Sequence, residues 1–231
     1  MRRKWKSAIV IVMGLASLPL LGWAYIYIAF SGGINSIIRN HRSPPDFNSA
    51  SMIAARSKLA REFESAFQSV EKNIGATSYT QSTHDLCARG ENNWKIQEEF
   101  AYRCTVQVTH FYGFDGDFEQ RLLSFEKALT LDWAPFEYTL NRVVNEEFEY
   151  YVDNIRYPPS YRARGLSLHL HVGKGDEANI SDLARFQTAS SRLAPLHEEK
   201  SLQDTREIVT RIKRDHQYVL AIAINGNYFK N

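Results

Sequence analysis

Two histidines separated by one residue, His169 and His171, lie in the segment "LSLHLHV". On an extended strand this spacing puts both imidazoles on one face about 7 Å apart, a geometry that suits a two-histidine metal site. A metal would need a third ligand from a neighbouring strand, and His110 and Glu149 are the candidates. The same alternation supports a plainer assignment, with Leu166, Leu168, Leu170 and Val172 inward and the histidines on the polar face of a half-exposed sheet.

Other polar clusters divide in the same way between chemistry and ordinary structure. "DGDFE" places Asp115, Asp117 and Glu119 together but lacks the spacing and distant glutamate of a calcium loop. Capping of a following helix accounts for the same acids. Glu147, Glu149 and Asp153 of "NEEFEYYVD" would share the polar side of a strand; without a cleft to perturb one of them, they read as a solvated edge. "RYPPSYRARG" gathers Arg156, Tyr157, Tyr161, Arg162 and Arg164 in a proline-stiffened loop. Such a surface could grip an anionic ligand or an envelope protein. The basic residues Arg206, Arg211, Lys213 and Arg214 of the last helix could face anionic lipid, although a solvated face explains them as well.

No Gly-x-Ser-x-Gly elbow, His-Glu-x-x-His, P-loop or dinucleotide glycine fingerprint occurs, so neither a catalytic residue nor a cofactor is expected. With 28 basic and 26 acidic residues the chain carries no general attraction to nucleic acid. Its two cysteines, Cys87 and Cys104, are too far apart for a Cys-x-x-Cys redox pair and read as a disulfide staple of an exported domain. The sequon at Asn179 matters only in a glycosylating host.

Export itself is read from the amino end. Arg2, Arg3, Lys4 and Lys6 precede an uncharged run over residues 7–30, roughly 36 Å as a helix and enough to span a bilayer core of about 30 Å. The expected organisation is a cytoplasmic stub over 1–6, a transmembrane signal anchor over 7–30, a juxtamembrane linker over 31–49 and an extracytoplasmic domain over 50–231. Cleavage of a signal peptide near Ala24 is the alternative; Trp23, Tyr25 and Tyr27, typical of a membrane interface, favour retention. No lipobox-like cysteine follows the run.

These residues need elements to position them. Leu59, Phe63, Phe67, Val70 and Ile74 form one face of a helix over about 50–73, ended by Gly75. Alternation from Phe100 to Tyr112 predicts a strand, with residues 84–89 as its hairpin partner. A second helix follows "FDGD", with Phe118, Leu122, Phe125 and Leu129 as its stripe. The segment 136–156 favours strand, "RYPPSYRARG" turn or loop, and residues 173–195 mostly loop. A last helix starts near Ser201, and "QYVLAIAING" forms a final strand. This order predicts an α+β fold, a mainly antiparallel sheet with helices packed on one face and a ferredoxin-like core over 100–225. The expected function is that of a single-pass, membrane-anchored binding or accessory module of the cell envelope. The alternatives are an exported enzyme or metal-binding protein built on His169 and His171, and a purely structural component.

Overall fold

The computed structural model describes residues 21–31, 33–91, 95, 98–136, 139, 159–173, 195–201 and 205–231. Helices α1 (Leu21–Phe30), α2 (Ile34–Asn40) and α3 (Ala50–Ile74) are followed by strands β1 (Thr80–Arg89) and β2 (Tyr102–Phe114). Then come α4 (Phe118–Leu129), β3 (Ala134–Phe136), β4 (Ser160–Ala163), β5 (Leu166–Gly173), β6 (His197–Ser201), α5 (Thr205–Asp215) and β7 (Tyr218–Lys230). The fold is α+β, and its seven described strands make one antiparallel sheet in the order β3-β4-β5-β7-β2-β1-β6.

The long helix α3 starts where the Ser49 side chain accepts from Met52 N–H and stops at Gly75, whose φ of 64° only glycine adopts without strain. Its apolar stripe, from Leu59 to Ile74, packs with the stripe of α4 on one face of the sheet, against Tyr112, Leu168, Leu170, Leu220 and Ile222. The approach is close: a Cβ on Gly226 of β7 would lie 2.8 Å from both Leu59 and Leu166. The other face carries α5, whose Ile208, Val209 and Ile212 bury Phe111, Val219 and Ala221. Helices therefore cover both faces, not one. The cause lies in β7, where Val219, Ala221 and Ala223 are as buried as the alternating Leu220, Ile222 and Ile224. A strand apolar on both sides needs cover on both.

The same strand overturns the ferredoxin-like core. That order would seat β2 between the last and third strands of the unit, whereas β7 itself lies between β2 and β5. β7 is thirteen residues long and bonded along both edges, so the centre of the sheet is where its backbone groups are satisfied. Two shorter strands also depart from expectation. "SYRA", read as loop, is β4, and "HEEKS", whose pattern suggested no element, is the edge strand β6 paired with Thr83–Cys87. Cys87 and Cys104 are direct partners across β1 and β2 and form the disulfide. Residues 140–158 and 174–194, with most of the expected strand and loop, lie outside the described residues.

The segment 31–49 is more than a linker. Its helix α2 is held to the domain by Arg39 donating to the Glu98 carbonyl at 2.5 Å and by Arg89 donating to the Asn40 carbonyl. Tyr102 Oη donates to the Arg42 carbonyl at 2.9 Å. Among the described residues no single helix is long and apolar enough to cross a membrane; α1 and α2, bent by 71° at their junction, meet that criterion only as a pair. Trp23, Tyr25, Tyr27 and Phe30 of α1 are all exposed.

Candidate functional site

Because α3 lies over the central strands, both of its flanks stand beside sheet that it leaves uncovered. The flank away from α4 overhangs β2, β1 and β6 and encloses a groove of about 710 Å³. Phe63, Phe67, Val106 and Val108 give it an apolar floor. Its charged lining comprises Arg56, Glu64, Glu71, Asp85 and Glu199, four carboxylates against one guanidinium, a formal charge of −3 in a chain of +2 overall.

Two polar networks occupy the ends of this groove. At one end Asp85, only 4 % exposed, accepts a hydrogen bond from Tyr228 Oη at 2.8 Å, and its other oxygen lies 2.8 Å from Arg56 Nε. Burial works against the Arg56 charge, but the Tyr228 hydroxyl, Asp85 and Glu199 together raise its pKa. Burial, with a further contribution from Asp85, pushes the Tyr228 phenol up to about 12. Glu199 faces Asp85 across the β1–β6 pair, and His197, which faces Cys87, stacks on Phe47 at 5.2 Å. Strand parity puts Asp85, Cys87, His197 and Glu199 on the α3 face.

At the other end His110 stacks flat on Phe67, ring centroids 3.6 Å apart, with Nδ1 3.2 Å from Glu71 Oε1 and Nε2 3.0 Å from Gln81 Oε1. Tyr112 Oη donates to the same Glu71 oxygen at 3.2 Å. Burial lowers the His110 pKa although Glu71 opposes the shift, and it raises that of Tyr112. Both ring nitrogens of His110 have oxygen neighbours, which anchors the ring as part of the groove wall.

A second cleft of about 580 Å³ lies on the α4 flank of α3. Lys58, Arg61 and Arg164 outnumber Glu62 and Asp132 there, beside Trp133 and Leu166. Asp132 accepts from Ser69 and, at 3.2 Å, from Asn73 Nδ2; these two bonds hold its carboxyl below the usual range.

The residues singled out in the sequence are only partly brought together. His169 and His171 do share a face, opposite to Leu168 and Leu170, but it is the α5 face: His171 pairs with Ala221, which pairs with Phe111. His110 is therefore on the other side of the sheet and is no third ligand for them, while Glu149 lies outside the described residues. Burial, and then the neighbouring His169, pushes His171 down to about 3. Tyr161 is not on a binding surface, being wholly buried with Oη donating to Glu126 Oε1 at 2.8 Å. Its register partner Leu168 puts it on the α3 face, whereas Arg162, next along, points to the opposite side with its guanidinium 3.2 Å from the Phe136 ring centroid. Arg164, in the β4–β5 turn, does reach the basic cleft. Arg156 and Tyr157 lie outside the described residues. Asp117 caps α4 by accepting from Gln120 N–H at 2.8 Å, and Asp115 accepts from Gln217 N–H at 2.8 Å and lies 2.6 Å from His216 Nδ1, so the calcium-loop reading dissolves into capping. Arg211 and Arg214 of α5 are exposed.

The acidic groove escaped sequence reasoning because its parts come from α3, β1, β2, β6 and β7. The one local signal was His197-x-Glu199, with the same alternate spacing as His169-x-His171. No protein family, characterised protein or solved structure matches the chain.

Proposed function

We propose that the chain is a membrane-tethered, extracytoplasmic binding module that takes a small organic cation with an apolar body in the groove between α3 and strands β2, β1 and β6. The observation that carries this reading is the pairing of an apolar floor with a −3 lining in a protein whose overall charge is +2. Ligand sites combine mostly apolar walls with a few placed polar groups, and like charge excludes the wrong partners. The cationic stub, the uncharged run over 7–30 and the disulfide support tethering and export, with residues 7–30 in contact with lipid.

The test uses the full chain in lipid nanodiscs and two probes of matched shape and opposite charge, phenethylamine and phenylacetate. The amine should raise the melting temperature in a concentration-dependent way and phenylacetate should not. Replacing Glu64 and Glu71 together by glutamine should abolish the amine response. Equal responses to the two probes, or an amine response that survives the double replacement, would sink the reading.

A further inference from the structure

Within the β1–β6 end of the groove, one ring nitrogen of His197 and one oxygen each of Asp85 and Glu199 lie within 4.8 Å of one another. Among the described residues this is the one such trio of metal-ligating side chains. The backbone explains the convergence: His197 and Glu199 are alternate residues of β6, and Asp85 is the direct cross-strand partner of Glu199. Two further observations point to a cation at this place. Nε2 of His197 is buried with no hydrogen-bond partner, an unusual state for a polar atom inside a protein. The one guanidinium of the groove, Arg56, lies with its Nε 2.8 Å from Asp85, forming an ion pair with one of the three. A positive charge is thus already held against one of the three candidate ligands.

We propose that Asp85, His197 and Glu199 form a binding site for a divalent first-row transition cation, zinc foremost, from which Arg56 is displaced when the metal enters. One nitrogen and two oxygen donors with an open fourth position match the ligand types and number of an open tetrahedral zinc site. Ligand atoms about 2.0–2.2 Å from a central ion are roughly 3.3–3.6 Å apart in a tetrahedron, so a trio within 4.8 Å needs side-chain movements of no more than about 1.5 Å to close. Arg56, with its side chain 31 % exposed, can turn into solvent, and Tyr228 continues to donate to Asp85 as an outer-shell partner. The site stands on this geometry alone and does not depend on the organic-cation reading.

The experiment titrates full-length protein in nanodiscs with Zn2+ against a competing chelator, and with Co2+ as a spectroscopic probe of tetrahedral coordination. Wild type should bind one equivalent, with a charge-transfer-free, tetrahedral cobalt spectrum, because no thiolate is in the trio. H197A and E199Q, both on the edge strand, should each weaken zinc at least about 100-fold, while the double variant H169A/H171A should leave it unchanged. R56Q should lose thermal stability and regain it on adding zinc, with tighter binding than wild type because the competing cation is gone. No zinc binding by wild type, binding that survives H197A, or tighter binding absent in a folded R56Q protein overturns the site. Glu64 and Glu71 are not ligands, so the double glutamine variant that removes the amine response should bind zinc normally, which separates failure of one reading from failure of the other.

Discussion

The two clefts beside α3 are built from one helix and yet differ in nearly everything a ligand would meet. The groove towards β6 has an apolar floor, four carboxylates to one guanidinium, and an ion pair whose acid is buried. The cleft towards α4 has three cations to two acids, and its Asp132 is satisfied by neutral donors. The helix distributes them by its period: positions 56, 60, 63, 64, 67, 68 and 71 face one cleft, and 58, 61, 62, 65, 66 and 69 the other. Two clefts of opposite sign can therefore share a core stripe, and mutations on one flank test the other as a control.

The largest expected effect comes from the wall they have in common with the core. Phe67 is 3 % exposed and carries the His110 ring, so Phe67→Ala should cost about 3–5 kcal/mol, measured by urea denaturation, and should abolish amine binding with it. If stability fell and amine binding persisted, the floor would not belong to the ligand site. Next is Arg56→Ala, which leaves Asp85 buried beside only the Tyr228 hydroxyl. Stranding a buried carboxylate costs about 3 kcal/mol, whereas Lys58→Ala on the opposite flank, an exposed i,i+4 partner of Glu62, should change stability by less than about 0.5 kcal/mol. Equal effects of the two would remove the asymmetry between the clefts.

Acidification separates the flanks by another route. His110 lines the acidic groove and has a lowered pKa, while no histidine lines the basic cleft. A histidine depressed in the folded state leaves the unfolded chain to bind the extra proton, so its contribution is complete above the unfolded value of about 6.5 and is lost as pH falls below it. His171, held at about 3 on the α5 face, acts with the same sign over a wider window. Denaturation midpoints should therefore drop between pH 7 and pH 5, and His110→Gln should flatten part of that slope. A slope unchanged by His110→Gln and His171→Leu together would show that neither ring is kept neutral by the fold.

How much of this could be read from the chain follows from where the information lies. The α3 stripe, the alternation of β2, the inward leucines of β5 and the Cys87–Cys104 staple were all legible, because each is a local period or a single pair. β6 was not: "HEEKS" has no apolar alternation and becomes a strand only because β1 offers an unpaired edge from Thr83 to Cys87. Tyr161 misled for the related reason that a loop-like composition surrounds a residue whose burial is decided by pairing with Leu168. The acidic groove required α3, β1, β2, β6 and β7 to be placed at once, and the described part of the Arg/Tyr loop that stood out locally contributes Ala163 and Arg164 to the basic cleft.

Arg164 sets the smallest and most selective test. It has φ 50° and is followed by Gly165 at φ 81°, so both central residues of the β4–β5 hairpin carry the positive φ of a type I′ turn. Asparagine is the favoured residue at that first position and arginine is not, so Arg164→Asn should raise stability by about 0.5 kcal/mol while removing one of three cations from the basic cleft. In nanodiscs the variant should denature at slightly higher urea, respond to phenethylamine as wild type does, and lose any weak response to inorganic phosphate. A changed amine response would show that the clefts communicate through α3, and a loss of stability would mean that the Arg164 side chain, not the turn, holds this end of the sheet.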